Sequence, residues 1–209
     1  MVQTIICLSG KKGSGKSLAS RMLKELIAKP SLEYQMATLL KKVVSVVNGI
    51  DEIFLESGDF KKKLSNYQIN RYGKLEYLTY RQCLLHFGKV LRYDNDKVFI
   101  NDVINKLTRC YEPIVIIPDV REVQEIKELR NWANNNRVNL YHIQILRETV
   151  TDDTSNDKTE VDLDGYLDYD YTITNNTNDP NDLKRCLKHL LNHYSITTKP
   201  VIIEATMFK

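Results

Sequence analysis

Short apolar segments alternate with amphipathic ones along most of the chain. Residues 2–8 form a short, mostly apolar run and residues 114–117 form an unbroken one. Both runs are rich in β-branched side chains, which predicts buried strands of a parallel sheet. Further strands are predicted at 33–37, 138–146 and 168–174. Apolar residues at helical spacing predict helices over 18–27, 39–47, 98–107, 123–132 and 180–194. This alternation indicates an α/β domain with three layers and a mostly parallel central sheet.

Three further segments carry loop or turn signals. Residues 51–71 are polar and rich in lysine, which predicts a solvated helix or a loop. A helix that starts near residue 78 is predicted to end at a turn near Gly88, and the asparagines at 134–136 predict another turn. We expect the strand at 114–117 to be central and buried on both faces.

The first strand leads into a glycine-rich segment with a fixed spacing. Gly10, Gly15, Lys16 and Ser17 fit the pattern G-x-x-x-x-G-K-[ST] without a mismatch. A predicted strand precedes the motif and a predicted helix follows it, which is the context that gives this pattern its meaning. The segment is therefore predicted to be a phosphate-binding P-loop that binds a nucleoside triphosphate.

The chemistry of phosphate binding requires these residue types. Glycines let successive backbone N–H groups turn towards phosphate oxygens, and the following helix adds the positive end of its dipole. Lys16 can reach the β- and γ-phosphates, and the Ser17 hydroxyl can ligate Mg²⁺. The predicted ATP-binding residues are Gly10, Lys11, Lys12, Gly13, Ser14, Gly15, Lys16, Ser17 and Leu18.

Composition and charge limit the location and the partners that we expect for the protein. The 209 residues contain no apolar run of membrane-spanning length and no signal-peptide pattern at the N-terminus, so we expect a cytoplasmic protein without a membrane partner. The four cysteines show no C-x-x-C spacing and are expected to be reduced. The net charge is +3, but residues 147–182 carry −9, so the rest carries +12. A basic body suits nucleotides and would equally suit nucleic acid.

Other P-loop reactions fit the chain less well. Asp162 and Gly165 match the D-x-x-G pattern of GTPases, but they follow no apolar strand, and no N-K-x-D segment occurs. Nucleic acid is disfavoured as a partner because the tyrosines do not interleave regularly with basic residues. His189 and His193 lie four residues apart without a third ligand, so we expect a helix face there and not a metal site.

Four arginines are predicted to lie within or near the ends of elements. Arg81 falls within a predicted helix, Arg92 follows the Gly88 turn, and Arg121 lies just beyond the central strand. Arg147 begins the acidic segment after the next strand. Phosphoryl transfer between nucleotides concentrates negative charge, and arginine holds phosphate bidentately, so these residues are candidates for a kinase site.

The motifs LSGKKGSGKS, LTYRQCLLHFGKVLR and VIIPDVR occur in this order. Together they resemble the deoxynucleoside monophosphate kinases of T-even-type bacteriophages and their P-loop relatives, over most of residues 1–175. The resemblance implies a core domain that binds ATP and Mg²⁺, an inserted helical lobe that binds the monophosphate, and a small lid. If the chain is of phage origin, its location is the cytoplasm of the host cell.

The resemblance also implies roles for single residues. The implied catalytic residues are Lys16, Arg81, Arg121 and Arg147. The implied substrate-binding residues are Arg81, Gly88, Arg92, Asp96 and Arg121. Ser17 and Asp119 are the implied metal-binding residues, with Asp119 near the water shell of Mg²⁺.

The same resemblance divides the chain into segments. The core domain comprises 1–30 and 110–146, the monophosphate lobe 31–109, the lid 147–168, and the final core strand and helix 169–194. The tail 195–209 has no assigned role, although its 201–203 segment could pair with a sheet edge or with a second subunit in a homodimer. Kinases of other phosphorylated metabolites, such as dephospho-coenzyme A or phosphomevalonate, and a non-catalytic nucleotide-binding protein remain open alternatives.

Overall fold

The computed structural model describes residues 1–148, 163 and 165–200. The chain forms two compact units. The first unit contains Met1–Tyr34 and the chain from Leu107 onward, and the second unit is Gln35–Lys106. No helix in these described ranges is long and apolar enough to cross a membrane.

The elements are numbered in chain order. The strands are β1 (Thr4–Ser9), β2 (Ser31–Glu33), β3 (Leu64–Arg71), β4 (Lys74–Thr79), β5 (Ile114–Ile117), β6 (Asn139–Leu146) and β7 (Tyr171–Thr174). The helices are α1 (Lys16–Leu26), α2 (Thr38–Asn48), α3 (Tyr80–Asp94), α4 (Val98–Thr108), α5 (Val123–Asn136) and α6 (Pro180–His193).

Five parallel strands form the sheet of the first unit, in the order β2-β5-β1-β6-β7. Because β1 pairs with β5 on one side and β6 on the other, every residue from Ile5 to Ser9 is buried. All four residues of β5 are buried as well. The predicted α/β fold with a mostly parallel central sheet is confirmed.

Helices cover both faces of this sheet. Leu23 of α1 packs in one apolar cluster with Ile6 of β1 and with the buried leucines of α6. Cys7 follows Ile6 along the strand, so its side chain points to the opposite face. There the thiol lies close enough to Glu125 and Arg130 of α5 for both charges to influence its pKa. The architecture is therefore the predicted three-layer arrangement.

Several boundaries in the first unit differ from the prediction. The second strand ends at Glu33, where the prediction began it. Helix α5 continues through the asparagines at 134–136, and the chain turns at Arg137, whose φ is 55°. Strand β7 begins at Tyr171, later than predicted, and Asp168 and Asp170 before it form ion pairs with Arg130.

The second unit contains a β-hairpin that the sequence analysis missed. Residues 51–71 form two short 3₁₀ turns followed by β3, which pairs antiparallel with β4. Within β3, Ser65, Tyr67 and Ile69 alternate inward, and the latter two pack against the core of the unit. The prediction of a solvated helix or loop was wrong because the lysines before the strand obscured this alternation.

Helix α3 passes through Gly88 without a turn, so the predicted end near Gly88 was also wrong. Gly88 is buried within the helix, and the residues around it continue to pack, with Leu84 and Phe87 against the core of the unit. Glycine is tolerated inside a helix when packing compensates its low propensity, roughly 1 kcal/mol below alanine. By contrast, α2 ends at Asn48, within one residue of the predicted 39–47 boundary, and Gly49 follows it with φ 63°.

Most of the predicted lid, 147–168, lies outside the described residues, and so does the 201–203 segment of the tail. The described part of the tail runs beside the end of α1. Thr198 forms an antiparallel bridge with Ile27, and the Lys199 N–H donates to the Leu26 carbonyl oxygen at 2.7 Å.

Candidate functional site

The P-loop connects the carboxyl end of β1 to the start of α1. Gly10, Gly13 and Gly15 have φ values of 146°, 83° and 105°, a region that side chains disfavour. A Cβ atom at Gly10 would overlap the Ile145 carbonyl oxygen, and one at Gly15 would lie 2.6 Å from the side-chain nitrogen of Asn175. The glycines of the motif are therefore required by both backbone angle and space.

Lys16 is the first residue of α1, and its side chain folds back over the loop. Its ammonium group donates to the carbonyl oxygens of Gly10 and Lys11, the latter at 2.8 Å. Ser14 is buried, and within the described part of the chain its hydroxyl has no hydrogen-bond partner. A cation and a buried hydroxyl at the centre of a glycine-rich turn fit the oxygens of a polyphosphate.

The other motif residues surround this centre. Ser17 and Leu18 lie in the first turn of α1, where backbone N–H groups have no partner inside the helix. Ser17 is exposed, as are Lys12 and Gly13 at the tip of the loop.

Two of the four predicted arginines lie beside the P-loop. Arg121 follows β5, Arg147 follows β6, and both line a small cavity of about 80 Å³ together with Gly10 and Lys11. Since β5, β1 and β6 are parallel neighbours, their carboxyl ends meet at one edge of the sheet. The cavity marks where cations converge, and it is smaller than the roughly 300–1,000 Å³ that ligand pockets occupy.

The loop after β5 is held by Glu125. One carboxylate oxygen accepts from the backbone N–H groups of Arg121 and Glu122, at 2.9 and 3.1 Å. Burial raises the pKa of Glu125 to about 7, against the partial opposing effect of the hydrogen bond from Arg121. Asp119, the predicted metal-binding residue, lies half-buried in this loop.

The remaining predicted residues lie in the second unit, on or after α3. Arg81, Gly88 and Arg92 are seven and eleven residues apart, which is close to two and three helical turns, so they share one face of α3. Arg81 is exposed, and the Arg92 guanidinium lies 4.5 Å from the centre of the Phe99 ring. Asp96 is exposed in the turn between α3 and α4.

The structure also reveals polar residues near the P-loop that sequence reasoning missed. Asn175 follows β7 and donates to the Ser14 carbonyl oxygen at 2.8 Å. Glu33 ends β2 and accepts from the Ser20 hydroxyl at 2.6 Å, one turn beyond Ser17 on α1. Position at the carboxyl end of a strand is the signal that could have found both, although correct strand boundaries were needed to apply it.

A larger cavity, about 200 Å³, lies at the opposite end of the sheet. Gln3, Asn139 and Thr197 contribute to its lining, and Lys29 is its charged side chain. It has no glycine-rich turn and no converging arginines, so we assign the candidate site to the P-loop. Among the described residues, no group of three or more histidines, cysteines or carboxylates could hold a metal ion.

Comparison with known proteins gives a distant relative. No family model matches the chain. An ATP-binding protein of Methanocaldococcus jannaschii, described as uncharacterized, is 27% identical over 132 residues. The matched region is 59% of this chain and 34% of that protein, so the chain spans about a third of the length of this curated relative.

Solved structures with a similar chain path include two kinases and one resistance protein. A variant of APS kinase from Mycobacterium tuberculosis has a TM-score of 0.47 and 9% identity, over 91% of this chain and 98% of its own. The tunicamycin resistance protein of Deinococcus radiodurans has values of 0.48 and 8%, over 95% and 99%. Shikimate kinase from Aquifex aeolicus has 0.43 and 13%, over 92% and 98%. With TM-scores and identities this low, the likenesses leave the reaction open.

Proposed function

We propose that this chain is a deoxynucleoside monophosphate kinase, which transfers the γ-phosphoryl group of ATP to a (deoxy)nucleoside monophosphate. The P-loop supports the ATP half of this reaction, as does the distant ATP-binding relative. The observation that carries the acceptor half is the face of α3 that presents Arg81 and Arg92 on either side of Gly88.

The P-loop would hold the triphosphate of ATP. The buried Ser14 hydroxyl and the first-turn N–H groups of α1 are donors for phosphate oxygens. Lys16 would exchange its bonds to the Gly10 and Lys11 carbonyls for bonds to the phosphates. A cation already placed inside the loop needs little reorganisation to stabilise charge on the transferred group.

Ser17 and Asp119 would hold Mg²⁺, since hydroxyl and carboxylate oxygens are the ligands that this ion prefers. When bound, Mg²⁺ neutralises charge on the β- and γ-phosphates. Arg121 and Arg147 would stabilise the negative charge on the phosphoryl group during its transfer, because both line the cavity beside Gly10.

Arg81 and Arg92 would hold the phosphate of the acceptor, and Gly88 would leave room for it against the helix. An oxygen of this phosphate attacks the γ-phosphorus of ATP, and ADP leaves. The acceptor oxygen already carries negative charge, so the reaction needs alignment and charge neutralisation and no strong general base.

The test is a coupled assay of ADP release, with ATP and Mg²⁺ against a panel of ribo- and deoxynucleoside monophosphates. We expect one or more monophosphates to stimulate ADP release and Lys16→Ala to abolish it. Lys24→Ala, an exposed lysine on the same helix, is the matched control and should retain activity. ATP binding without any stimulation by a monophosphate would refute the proposal, and stimulation by another phosphorylated metabolite would redirect it.

A further inference from the structure

A buried hydrogen-bonded chain links the P-loop to the loop that carries Asp119 and Arg121. Ser9 is the last residue of β1, immediately before Gly10, and it is fully buried. Its hydroxyl oxygen lies 2.8 Å from the Val120 carbonyl oxygen and 2.7 Å from Nε2 of His142. The chain thus joins β1, the loop after β5, and β6.

The direction of these bonds follows from the available protons. The Val120 carbonyl can only accept, so the single Ser9 hydroxyl proton goes to it, and Ser9 then accepts from a protonated Nε2 of His142. With Nε2 protonated, Nδ1 is a bare acceptor. It is buried and has no partner among residues 1–148, 163 and 165–200. The opposite tautomer would bury an unpaired N–H donor, which folded proteins tolerate less than an unpaired acceptor.

The imidazole is fixed in place from several sides. The His142 backbone N–H donates to the Asp170 carboxylate at 2.6 Å, and its carbonyl oxygen accepts from the Asp170 N–H at 2.9 Å. The Tyr169 ring centre lies 4.6 Å from the imidazole centre. Burial and the nearby Arg130 charge lower the pKa of His142 to about 3, against the opposing effect of Asp168, so the ring is neutral near pH 7.

Val120 lies between two residues of the proposed site. Its N–H donates to the Leu8 carbonyl at 3.2 Å, and its carbonyl accepts from Ser9 at 2.8 Å, so both of its polar backbone groups bind the end of β1. We infer that His142 is a positioning residue, which through Ser9 fixes the Asp119–Arg121 segment relative to the P-loop. This inference rests on the proposed function only in giving Asp119 and Arg121 their roles.

Substitutions at His142 can separate positioning from packing. The amide nitrogen of glutamine can take the place of Nε2, so His142→Gln keeps a donor to Ser9, whereas His142→Leu removes it and keeps an apolar side chain. Ser9→Ala removes the hydroxyl at the centre of this series of hydrogen bonds. His193→Leu, on the exposed side of α6, is the matched control.

Hydrogen–deuterium exchange over residues 118–122 gives a readout that does not need activity. We expect exchange there to rise about tenfold in His142→Leu and Ser9→Ala, and to stay near the wild-type rate in His142→Gln and His193→Leu. In His142→Leu and Ser9→Ala, kcat should fall about tenfold while the Kd for ATP, measured by calorimetry, stays unchanged. Nitrogen-15 spectra of the wild-type ring should show the Nε2-protonated tautomer.

Equal exchange in His142→Leu and His142→Gln would overturn the inference, because packing alone would then explain the residue. A ring protonated only at Nδ1 would overturn it as well. If the wild-type protein shows no monophosphate-dependent turnover, the proposed function fails, and the exchange pattern still decides whether His142 positions the loop.

Discussion

The side-chain nitrogen of Asn175 lies 2.8 Å from the backbone carbonyl oxygen of Ser14, 161 residues earlier in the chain. Asn175 is buried and comes directly after β7, and its own N–H donates to the Leu146 carbonyl at 2.7 Å. Its amide also occupies the space that a side chain at Gly15 would need. Asn175 therefore supports the P-loop from the end of β7, which lies two strands away from β1 in the sheet.

Asn175→Asp should lower both the stability of the protein and its affinity for ATP. The substitution places a carboxylate oxygen against the Ser14 carbonyl oxygen, which removes a donor and leaves a buried acceptor unpaired at a cost of about 1–3 kcal/mol. Thermal unfolding and calorimetric titration with ATP would measure both effects. Asn176→Asp, at the exposed next residue, is the control, and equal behaviour of the two variants would contradict the role of Asn175.

Glu125 should make stability depend on pH. The folded pKa is raised to about 7 from 4.5 in the unfolded chain, mainly by burial. Below pH 4.5 the carboxyl group is protonated in both states, and its stabilising contribution is fully present. As pH rises towards 7, only the unfolded chain releases the proton, so the free energy of unfolding falls by up to about 3 kcal/mol.

Glu125→Gln removes this titration and keeps the side-chain shape. Urea unfolding between pH 4 and 8, measured for the variant and for Glu128→Gln on the same helix, would isolate the contribution of Glu125. We expect the fall between about pH 4.5 and 7 to be smaller in Glu125→Gln alone. An unchanged pH profile in that variant would mean that Glu125 titrates normally in the folded protein.

Gly88→Ala should separate stability from substrate binding. A Cβ atom at Gly88 would lie 3.6 Å from both Arg92 and Leu40, an ordinary contact, and alanine favours a helix over glycine by roughly 1 kcal/mol. The variant should therefore unfold at a higher temperature, yet its KM for the monophosphate should rise if the acceptor lies against this face. Lys89→Ala serves as the exposed neighbour, and an unchanged KM in Gly88→Ala would remove Gly88 from the acceptor site.

Arg81→Ala and Arg92→Ala should raise the KM for the monophosphate while leaving the Kd for ATP unchanged. A lost charge-assisted hydrogen bond costs about 1.5–3 kcal/mol, which corresponds to roughly 10- to 150-fold. Arg71→Ala, on the β3–β4 hairpin beside Glu76, provides an exposed arginine of the same unit as control. Steady-state kinetics with the preferred monophosphate would show the split. A parallel loss of ATP affinity would instead mean that the two arginines act by maintaining the fold and not by binding the acceptor.

The parts of this protein that sequence predicted well are those with strong local signals. The P-loop follows a strand rich in β-branched residues, and 114–117 is an unbroken apolar run. Both could therefore be located without knowledge of their tertiary contacts. Gly88 misled the prediction because local propensity favours a turn there, whereas packing around Leu84 and Phe87 continues α3. Tertiary contacts override a single glycine in a well-packed helix.

The supporting residues of the site had no such signal. Ser9 and His142 are 133 residues apart, and Asn175 and Ser14 are 161 apart, so each pair exists only once the strand order of the sheet is known. His142 in particular is a lone histidine in the sequence, for which either burial or surface packing is the default expectation. Its contact with Ser9 depends on the parallel pairing of β1 with β6, in which Cys7 lies opposite His142.

The most direct measurement of the central claim is transfer of radioactive phosphate from γ-labelled ATP. Each deoxynucleoside monophosphate is incubated with the protein, ATP and Mg²⁺, and the products are separated by chromatography. We predict label in a deoxynucleoside diphosphate, and none when Lys16→Ala replaces the wild-type protein. Label that appears only as inorganic phosphate, or remains in ATP with every monophosphate, would contradict the account.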